Sequence, residues 1–317
     1  MTAYACIDIG SNTTRLLVAE CQEGKLRELA SQRAFTRIGK AVREHGRLTP
    51  EKVVETAEVV AQQARIAREL GARELAIVAT AAVREAPNRR ELADAVRASV
   101  GLEIEVLSDE EEARLAFVGA TKTLPTPVSG SVAVIDIGGG STEVAVGTLA
   151  EGVSWWMSVS LGSGVLSDAH LHSDPPTPDE LRAARDSVSA AFAGLDAPPA
   201  DRSVAVGGSA RSVRKLVGQE LSSGTVARAL ALLASTPAAA VDERFDVGLE
   251  RAPLLPAGAL ILDELLRRLG PRIAVGQGGV REGIILEIEG GRRRPSESAG
   301  AGGDAARTLA SVTSSDP

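Results

Sequence analysis

Aromatic side chains are scarce in this chain of 317 residues, which carries two Trp, one Tyr and four Phe. Its interior must therefore be filled by Ala, Val, Leu and Ile. Cysteine is equally rare, with Cys6 inside the first predicted strand and Cys21 just beyond it. Two cysteines cannot frame a disulfide scaffold, and no CxxC or Cys/His cluster points to zinc. His170 and His172 lie close together but lack a third ligand, so they read as surface residues. No apolar run reaches the length of a membrane-spanning helix. The N-terminus enters a strand without the basic and apolar regions of a secretory signal. A cytoplasmic protein with no membrane partner is expected. Arginine far outnumbers lysine, which reads as genome composition as much as function. The net charge of −7 argues against general nucleic-acid binding, so a polyanionic ligand would need a local basic lining.

Against these absences stand two copies of one unit. Ile7-Asp8-Ile9-Gly10-Ser11-Asn12-Thr13-Thr14-Arg15 and Ile135-Asp136-Ile137-Gly138-Gly139-Gly140-Ser141-Thr142-Glu143 align without a gap at an offset of 128 residues (136 − 8). Each predicts a strand, a Gly-rich turn and a returning strand. Glycine in the turn admits positive φ and lets backbone approach a ligand without a Cβ in the way. Successive N–H groups there form a nest for phosphate oxygens, beside hydroxyls of Thr13, Thr14, Ser141 and Thr142. Asp8 and Asp136 sit where a strand enters its turn, a place to hold hydrated Mg²⁺ against a phosphate. One copy alone would read as an ordinary hairpin. Two at a fixed offset read as related half-structures facing each other. They diverge where Arg15 matches Glu143 (143 − 128), so one half offers phosphate a cation and the other offers metal or water a carboxylate.

Between and beyond these units the chain alternates helices and strands. Thr49-Pro50-Glu51 opens a helix with a hydroxyl cap, proline at its first position and an early acid. Val53, Val54, Ala57, Val60, Ala61, Ala64, Ala67 and Leu70 form its apolar stripe. The strand 75–79 ends in Thr80-Ala81-Ala82-Val83-Arg84, which can present Thr80 and Arg84 to a ligand. The alternative is a salt bridge from Arg84 to Glu85 or a neighbour. Asn88 and Glu91 have capping-box spacing, as do Ser108 and Glu111. Glu112 reads as a first-turn acid, but its helix face continues through the small residues Ala116, Gly119 and Thr123, so it can pack closely beside a cleft. Arg37, in Ser31–Lys40, reads as part of a solvated basic strand and loop. Val204-Ala205-Val206-Gly207-Gly208-Ser209-Ala210-Arg211 runs from strand to helix, and Gly207 and Gly208 let an anion reach the helix N-terminus or a base or ribose approach. Residues 257–269 predict a helix, 273–276 a strand, and Val280 onward a closing helix. From Gly290 the composition predicts a disordered tail with Arg292-Arg293-Arg294 solvated.

Asp8–Thr13, Asp136–Glu143, Thr80–Ala86, Glu111-Glu112-Ala113-Arg114 and Gly279–Gly283 together resemble the exopolyphosphatase/guanosine pentaphosphate phosphohydrolase (Ppx/GppA) family of the actin, Hsp70 and sugar-kinase superfamily. The resemblance covers roughly residues 1–289. It implies two ribonuclease H-like (actin-like ATPase) domains, each with a mixed α/β sheet, around an interdomain cleft. The expected division is 1–124 and 125–278, with a closing helix at about 279–289 packed back on the first domain. The form expected is short, without the extra helical domain of longer members. The activity implied is Mg²⁺-dependent hydrolysis of the terminal phosphoanhydride of inorganic polyphosphate, or of guanosine pentaphosphate. Glu112 is implied as the base that activates water, and Asp8, Asp136 and Glu143 as the acids around Mg²⁺ and water. Arg15, Arg37 and Arg84, Gly10 to Thr13, Gly138 to Thr142, and Gly207 with Gly208 are implied as the phosphate lining. A homodimer is consistent with the resemblance. An ATP-dependent small-molecule kinase and a non-catalytic actin-like scaffold are the other classes on this fold. Joint presence of Asp8, Glu112, Asp136 and Glu143 weighs against both.

Overall fold

The computed structural model describes residues 2–22, 25–126, 128–218 and 220–293. In the first half, β1 (Thr2–Ile9), β2 (Thr14–Gln22) and β3 (Lys25–Ala34) are followed by α1 (Ile38–His45), α2 (Pro50–Glu69) and β4 (Ala72–Ala79). Then come α3 (Ala81–Glu85), α4 (Arg89–Val100), β5 (Glu105–Val106) and α5 (Asp109–Lys122). The second half opens with β6 (Ser131–Ile137), β7 (Thr142–Thr148), β8 (Gly152–Val159), α6 (Ser163–His170), α7 (Pro178–Ala191) and β9 (Arg202–Val206). It continues through α8 (Gly207–Val217), β10 (Leu221–Ser222), α9 (Ser223–Leu233), α10 (Ala238–Phe245), α11 (Leu255–Leu269), β11 (Arg272–Val275) and α12 (Val280–Glu289).

The two sheets repeat one plan. Their strand orders are β3-β2-β1-β4-β5 and β10-β11-β9-β6-β7-β8. In each, an antiparallel hairpin lies beside a parallel strand, β4 next to β1 and β9 next to β6. The duplicated motifs are therefore the hairpin turns at equivalent edges of two mixed sheets.

Helix α5 joins the halves because it is apolar on two sides. Leu115 and Ala116 pack with Cys6, Leu17 and Val78 of the first sheet and with Ile284 and Ile285 of α12. Ala113, Phe117 and Ala120 pack on Val132, Val134, Ala145 and Val204 of the second. Its small face crosses the start of α12: a Cβ on Gly119 would lie 1.9 Å from the Gly279 carbonyl oxygen. The closing helix thus packs on the first sheet, and Glu287 ion-pairs with Arg114.

Local chemistry explains the element ends. Thr49 Oγ1 accepts from Lys52 N at 3.3 Å ahead of Pro50, and Val53, Ala57, Val60, Ala64 and Ala67 are buried. Val54 and Leu70, expected in that stripe, face solvent. Ser108 caps α5 by accepting from Glu111 N at 3.2 Å. Asn88 does not cap α4. Its amide instead bridges Leu48 N and Leu48 O, both at 2.9 Å, because the preceding loop supplies closer partners. The segment after β3 is helix α1 rather than loop. Arg293, expected to be solvated in a tail from Gly290, is largely buried and pairs with Glu105 (2.6 Å) and Glu111 (3.2 Å). The tail expectation for 294–317 lies outside the described residues. Trp155 packs against the second core, while its neighbour Trp156 is 39% exposed.

Candidate active site

Both hairpin turns close in the same way. Gly10 N donates to Thr13 O and Gly138 N to Ser141 O, each at 3.0 Å. The register places Asp8 opposite Arg15 and Asp136 opposite Glu143. None of these turn glycines has positive φ. They are needed for space, which corrects the conformational expectation. A Cβ on Gly140 would lie 2.3 Å from Ser11 Oγ, and one on Gly139 would lie 2.9 Å from Asn12 Cβ. The two turn tips touch, and the cleft lies beneath them.

That cleft gathers Asp8, Gly10 to Thr13, Arg15, Glu112, Asp136, Gly138 to Ser141, Glu143, Gly207 and Gly208. Glu112 enters from the first turn of α5 and is 8% exposed. Arg84, at the end of α3, stands behind it: one Nη bonds Glu112 Oε2 at 3.2 Å and Leu107 O at 2.7 Å, and the other pairs with Asp109. Arg84 therefore orients Glu112 rather than forming part of the lining. Glu143, 2% exposed, accepts from Ser158 Oγ at 2.9 Å. Two expected residues lie elsewhere. Thr142 is buried and donates to Leu161 O at 2.7 Å, since the alternation of β7 turns its side chain into the core. Arg37 sits beyond the turn tips, paired with Glu250.

Burial sets the acid–base character of the floor. It pushes the Glu112 carboxyl well above the ordinary range, and Glu143 pushes it further while Arg84 opposes. Glu143 is raised by burial and then by Asp136. Asp136 rises to about 6, driven by burial and held back by Arg15. Asp8 is raised by burial, again opposed by Arg15. These carboxylates are poised to take protons or to share a cation.

The facing wall carries the opposite charge, and here sequence reasoning missed residues. Arg211 and Arg251 line the cleft with Arg15 and Arg281. Arg251 lies against Gly208, where a Cβ would come 1.5 Å from its Nη1. Arg15, Arg211 and Arg251 form no ion pair with any carboxylate among the described residues; Arg15 bonds Thr13 Oγ1 (3.1 Å) and Arg211 bonds Gln277 O (3.0 Å). Burial lowers all three, Arg15 to about 10 and Arg251 to about 9. Three recessed guanidiniums without carboxylate partners among the described residues can receive an anion. Arg211 and Arg281 stand in stretches already singled out, four residues after Gly207 and two after Gly279. Arg251 has only one signal, a charge four residues ahead of the apolar helix α11.

Among the described residues, no three His, Cys, Asp or Glu side chains cluster closely enough to hold a metal by themselves. Asp8 Oδ1 is nevertheless buried with no hydrogen-bond partner. One or two carboxylates completed by water and phosphate oxygens is the usual manner of binding Mg²⁺, and Asp8 and Asp136 fit it.

The sequence profile of the Ppx/GppA phosphatase family matches residues 17–291. The chain belongs to that family. Exopolyphosphatase 1 of Mycobacterium tuberculosis is 30% identical over 298 residues, covering 88% of this chain and 86% of the relative. Exopolyphosphatase 2 of the same organism is 30% identical over 313 residues, covering 90% and 97%. A crystal structure of the Aquifex aeolicus Ppx/GppA family member superposes with a TM-score of 0.78 at 28% identity, over 92% of this chain and 99% of that one. Within the Ppx/GppA family, the paired hairpins and facing mixed sheets described above are the two-domain actin-like architecture expected from the sequence.

Proposed function

We propose that this Ppx/GppA protein is an exopolyphosphatase, releasing orthophosphate from the end of inorganic polyphosphate in the cleft between a first domain of residues 1–124 and a second of 125–278. One observation carries this reading: Glu112, a buried and oriented carboxylate, faces an anion site of three arginines that have no carboxylate partners. Both curated relatives above bear the name exopolyphosphatase. No aromatic side chain lines the cleft among the described residues, so no ring there would stack a guanine base. That favours polyphosphate over guanosine pentaphosphate, the second substrate on which the family's name rests.

Arg15, Arg211 and Arg251 hold the terminal phosphates, and the amides of the two turns receive their oxygens. Ionised Glu112 accepts a proton from water as the water oxygen attacks the terminal phosphorus. The bridging P–O bond breaks, and its electron pair leaves with the shortened chain. Raised basicity suits Glu112 to this role, and Arg84 keeps its carboxylate aimed. Asp8 and Asp136, completed by water, would hold Mg²⁺, which when bound would offset phosphate charge, while among the described residues Glu143, expected as a third ligand, is not gathered with them into one metal cluster. Catalysis then rests on positioning and electrostatics.

Phosphate release should be measured with Mg²⁺ from tripolyphosphate, long polyphosphate and guanosine pentaphosphate, using wild type and Glu112→Gln. Loss of about 10²–10⁴-fold in the variant is expected for a general base. Equal rates in both proteins would remove Glu112 from the chemistry. Release only from the nucleotide would transfer the assignment to it.

A further inference from the structure

Among the described residues, strand β8 contributes nothing to the lining of the cleft, yet one of its side chains reaches the acids there. Ser158 stands directly opposite Glu143 in the β7–β8 pairing, and its Oγ donates to Glu143 Oε1 at 2.9 Å. Glu143 in turn stands opposite Asp136, so Asp136, Glu143 and Ser158 form one row across adjacent strands. Directly opposed residues of an antiparallel pair share a face of the sheet, which brings the hydroxyl to the carboxylate.

The first half builds the same row from different residues. Asp8, Arg15 and Arg33 are opposed in turn across β1, β2 and β3. The outer position of the row is thus an arginine in one half and a serine in the other. An arginine opposite Glu143 would form an ion pair with it and draw it from the cleft. A serine hydroxyl donates to the carboxylate without neutralising it. Strand β8 then runs into a segment that packs on the second phosphate turn. Ser163 N donates to Gly138 O at 3.0 Å, and Gly164 N donates to Gly139 O at 2.9 Å. Gly162 has no room for a Cβ, which would lie 2.6 Å from Gly139 C. The strand bearing Ser158 is therefore held against the turn that precedes Glu143.

We propose that Ser158 is a positioning residue for the attacking water, acting through Glu143. The inference rests on the exopolyphosphatase reading and deepens it. Glu112 enters the cleft from α5 and Glu143 from β7, and Glu143 is the charged group that acts most strongly on Glu112. With Oε1 held by Ser158, Glu143 turns its other oxygen to the cleft, where it accepts a hydrogen bond from the water. Glu112 takes the water's other hydrogen as a proton while the oxygen attacks the terminal phosphorus. A water held by two acceptors keeps its lone pair directed at phosphorus. The Ser141 hydroxyl also bonds Glu143, so losing Ser158 loosens this carboxylate without freeing it.

A double-mutant cycle on phosphate release from tripolyphosphate with Mg²⁺ tests this, using Ser158→Ala, Glu143→Gln and the two combined. Ser158→Ala should lower kcat about tenfold with KM nearly unchanged, since a loosened carboxylate misplaces water and not phosphate. Ser158→Thr keeps the hydroxyl on a residue suited to a strand, and should recover most of that loss. In the Glu143→Gln background, Ser158→Ala should cost less than about twofold more, because its effect is carried by Glu143. A serine that only supports the fold would lower kcat by the same factor in both backgrounds, and that additivity would overturn the proposal. Equal losses in Ser158→Ala and Ser158→Thr would overturn it by showing that shape, not the hydroxyl, matters. An unchanged kcat in Ser158→Ala would overturn it while leaving the hydrolase reading intact. Wild type that releases no phosphate would overturn the hydrolase reading itself, and this role with it.

Discussion

Gly119 sits where α5 crosses the start of α12, and a methyl group there meets only backbone. Its Cβ would lie 1.9 Å from Gly279 O, 2.8 Å from Gly279 C and 2.9 Å from Gly283 N. Carbon and oxygen approach no closer than about 3.3 Å in weakly attractive contacts, so the elements would have to separate by roughly 1 Å or more. Side-chain rotation cannot relieve this. Overpacking costs about 1–3 kcal/mol, and a clash of backbone with Cβ belongs at the upper end. Against it, alanine gains about 1 kcal/mol over glycine inside a helix. The steric effect wins, leaving Gly119→Ala destabilised by about 2 kcal/mol, or a melting temperature about 4–8 °C lower. Activity should fall too. Glu112 lies two turns earlier on α5, while a Cβ on Gly279 would be 3.6 Å from Asp136 Oδ2. Spreading α5 and α12 separates the base from the opposing acid, and misplacement by 1 Å costs on the order of 10²-fold. Gly224→Ala in α9 is the matched control, because nothing lies within 4 Å of its Cβ position. It should gain about 0.5 kcal/mol. Thermal melts of both variants would test this. Gly119→Ala melting with Gly224→Ala, at or above wild type, would refute the close approach.

Arg251→Met should raise stability by on the order of 1–3 kcal/mol and weaken tripolyphosphate binding, because a 9% exposed guanidinium beside Arg15 is retained at a cost to the fold. A variant that melts lower would contradict that balance. Glu180 is depressed to about 2 by hydrogen bonds from Thr177 N (2.7 Å), His172 N (3.0 Å) and the Ser173 hydroxyl (3.1 Å). Its contribution is present above the unfolded carboxylate range and lost as pH falls through that range towards 2. The melting difference between wild type and Glu180→Gln should therefore be clear at neutral pH and shrink in acid; a difference that widens in acid would reverse the sign. Glu112 is raised and acts ionised, so kcat/KM should be lost as pH falls through a value above about 4.3, the ordinary glutamate pKa. A pH–rate profile with its acid limb at or below that value would be inconsistent with this base.

The hairpins were legible because a strand alternates faces and a repeat keeps its offset. The same register that aligns Asp8 with Asp136 in sequence pairs Asp8 with Arg15 and Asp136 with Glu143 across their strands. Capping of α2 by Thr49 and of α5 by Ser108 was readable for the same reason, since each interaction spans three residues. What depends on packing was not readable. Asn88 has a good capping neighbour in Glu91, but the loop at Leu48 comes closer in space. Arg293 looks like a solvated charge until α12 folds back and brings it to Glu105 and Glu111. Arg251 reaches the cleft only because Gly208 leaves room for its guanidinium. Helix α1 escaped notice because it is short, basic and begins from a left-handed residue.

The duplicated halves also explain why the cleft is electrostatically costly. A perfect repeat would place the same residue opposite each aspartate, giving two Asp–Arg or two Asp–Glu pairs. Divergence to Arg15 and Glu143 gives instead one half that attracts phosphate and one that attracts a cation or proton. The acids raise one another, Glu143 acting on Glu112 and Asp136 on Glu143, while Arg15 lowers Arg251. Each charge family is therefore destabilised by its own members and incompletely relieved by the other. A polyanion with an associated cation relieves both at once, because phosphate oxygens meet the arginines while the cation meets the carboxylates. Phosphate alone would relieve the arginines but add negative charge opposite Glu112 and Glu143. The ligand should therefore stabilise the fold most when polyphosphate and Mg²⁺ are supplied together: a melting shift larger than the sum of the two separate shifts is expected. Additive shifts would mean that the two charge families are satisfied independently, and that the cleft does not couple them.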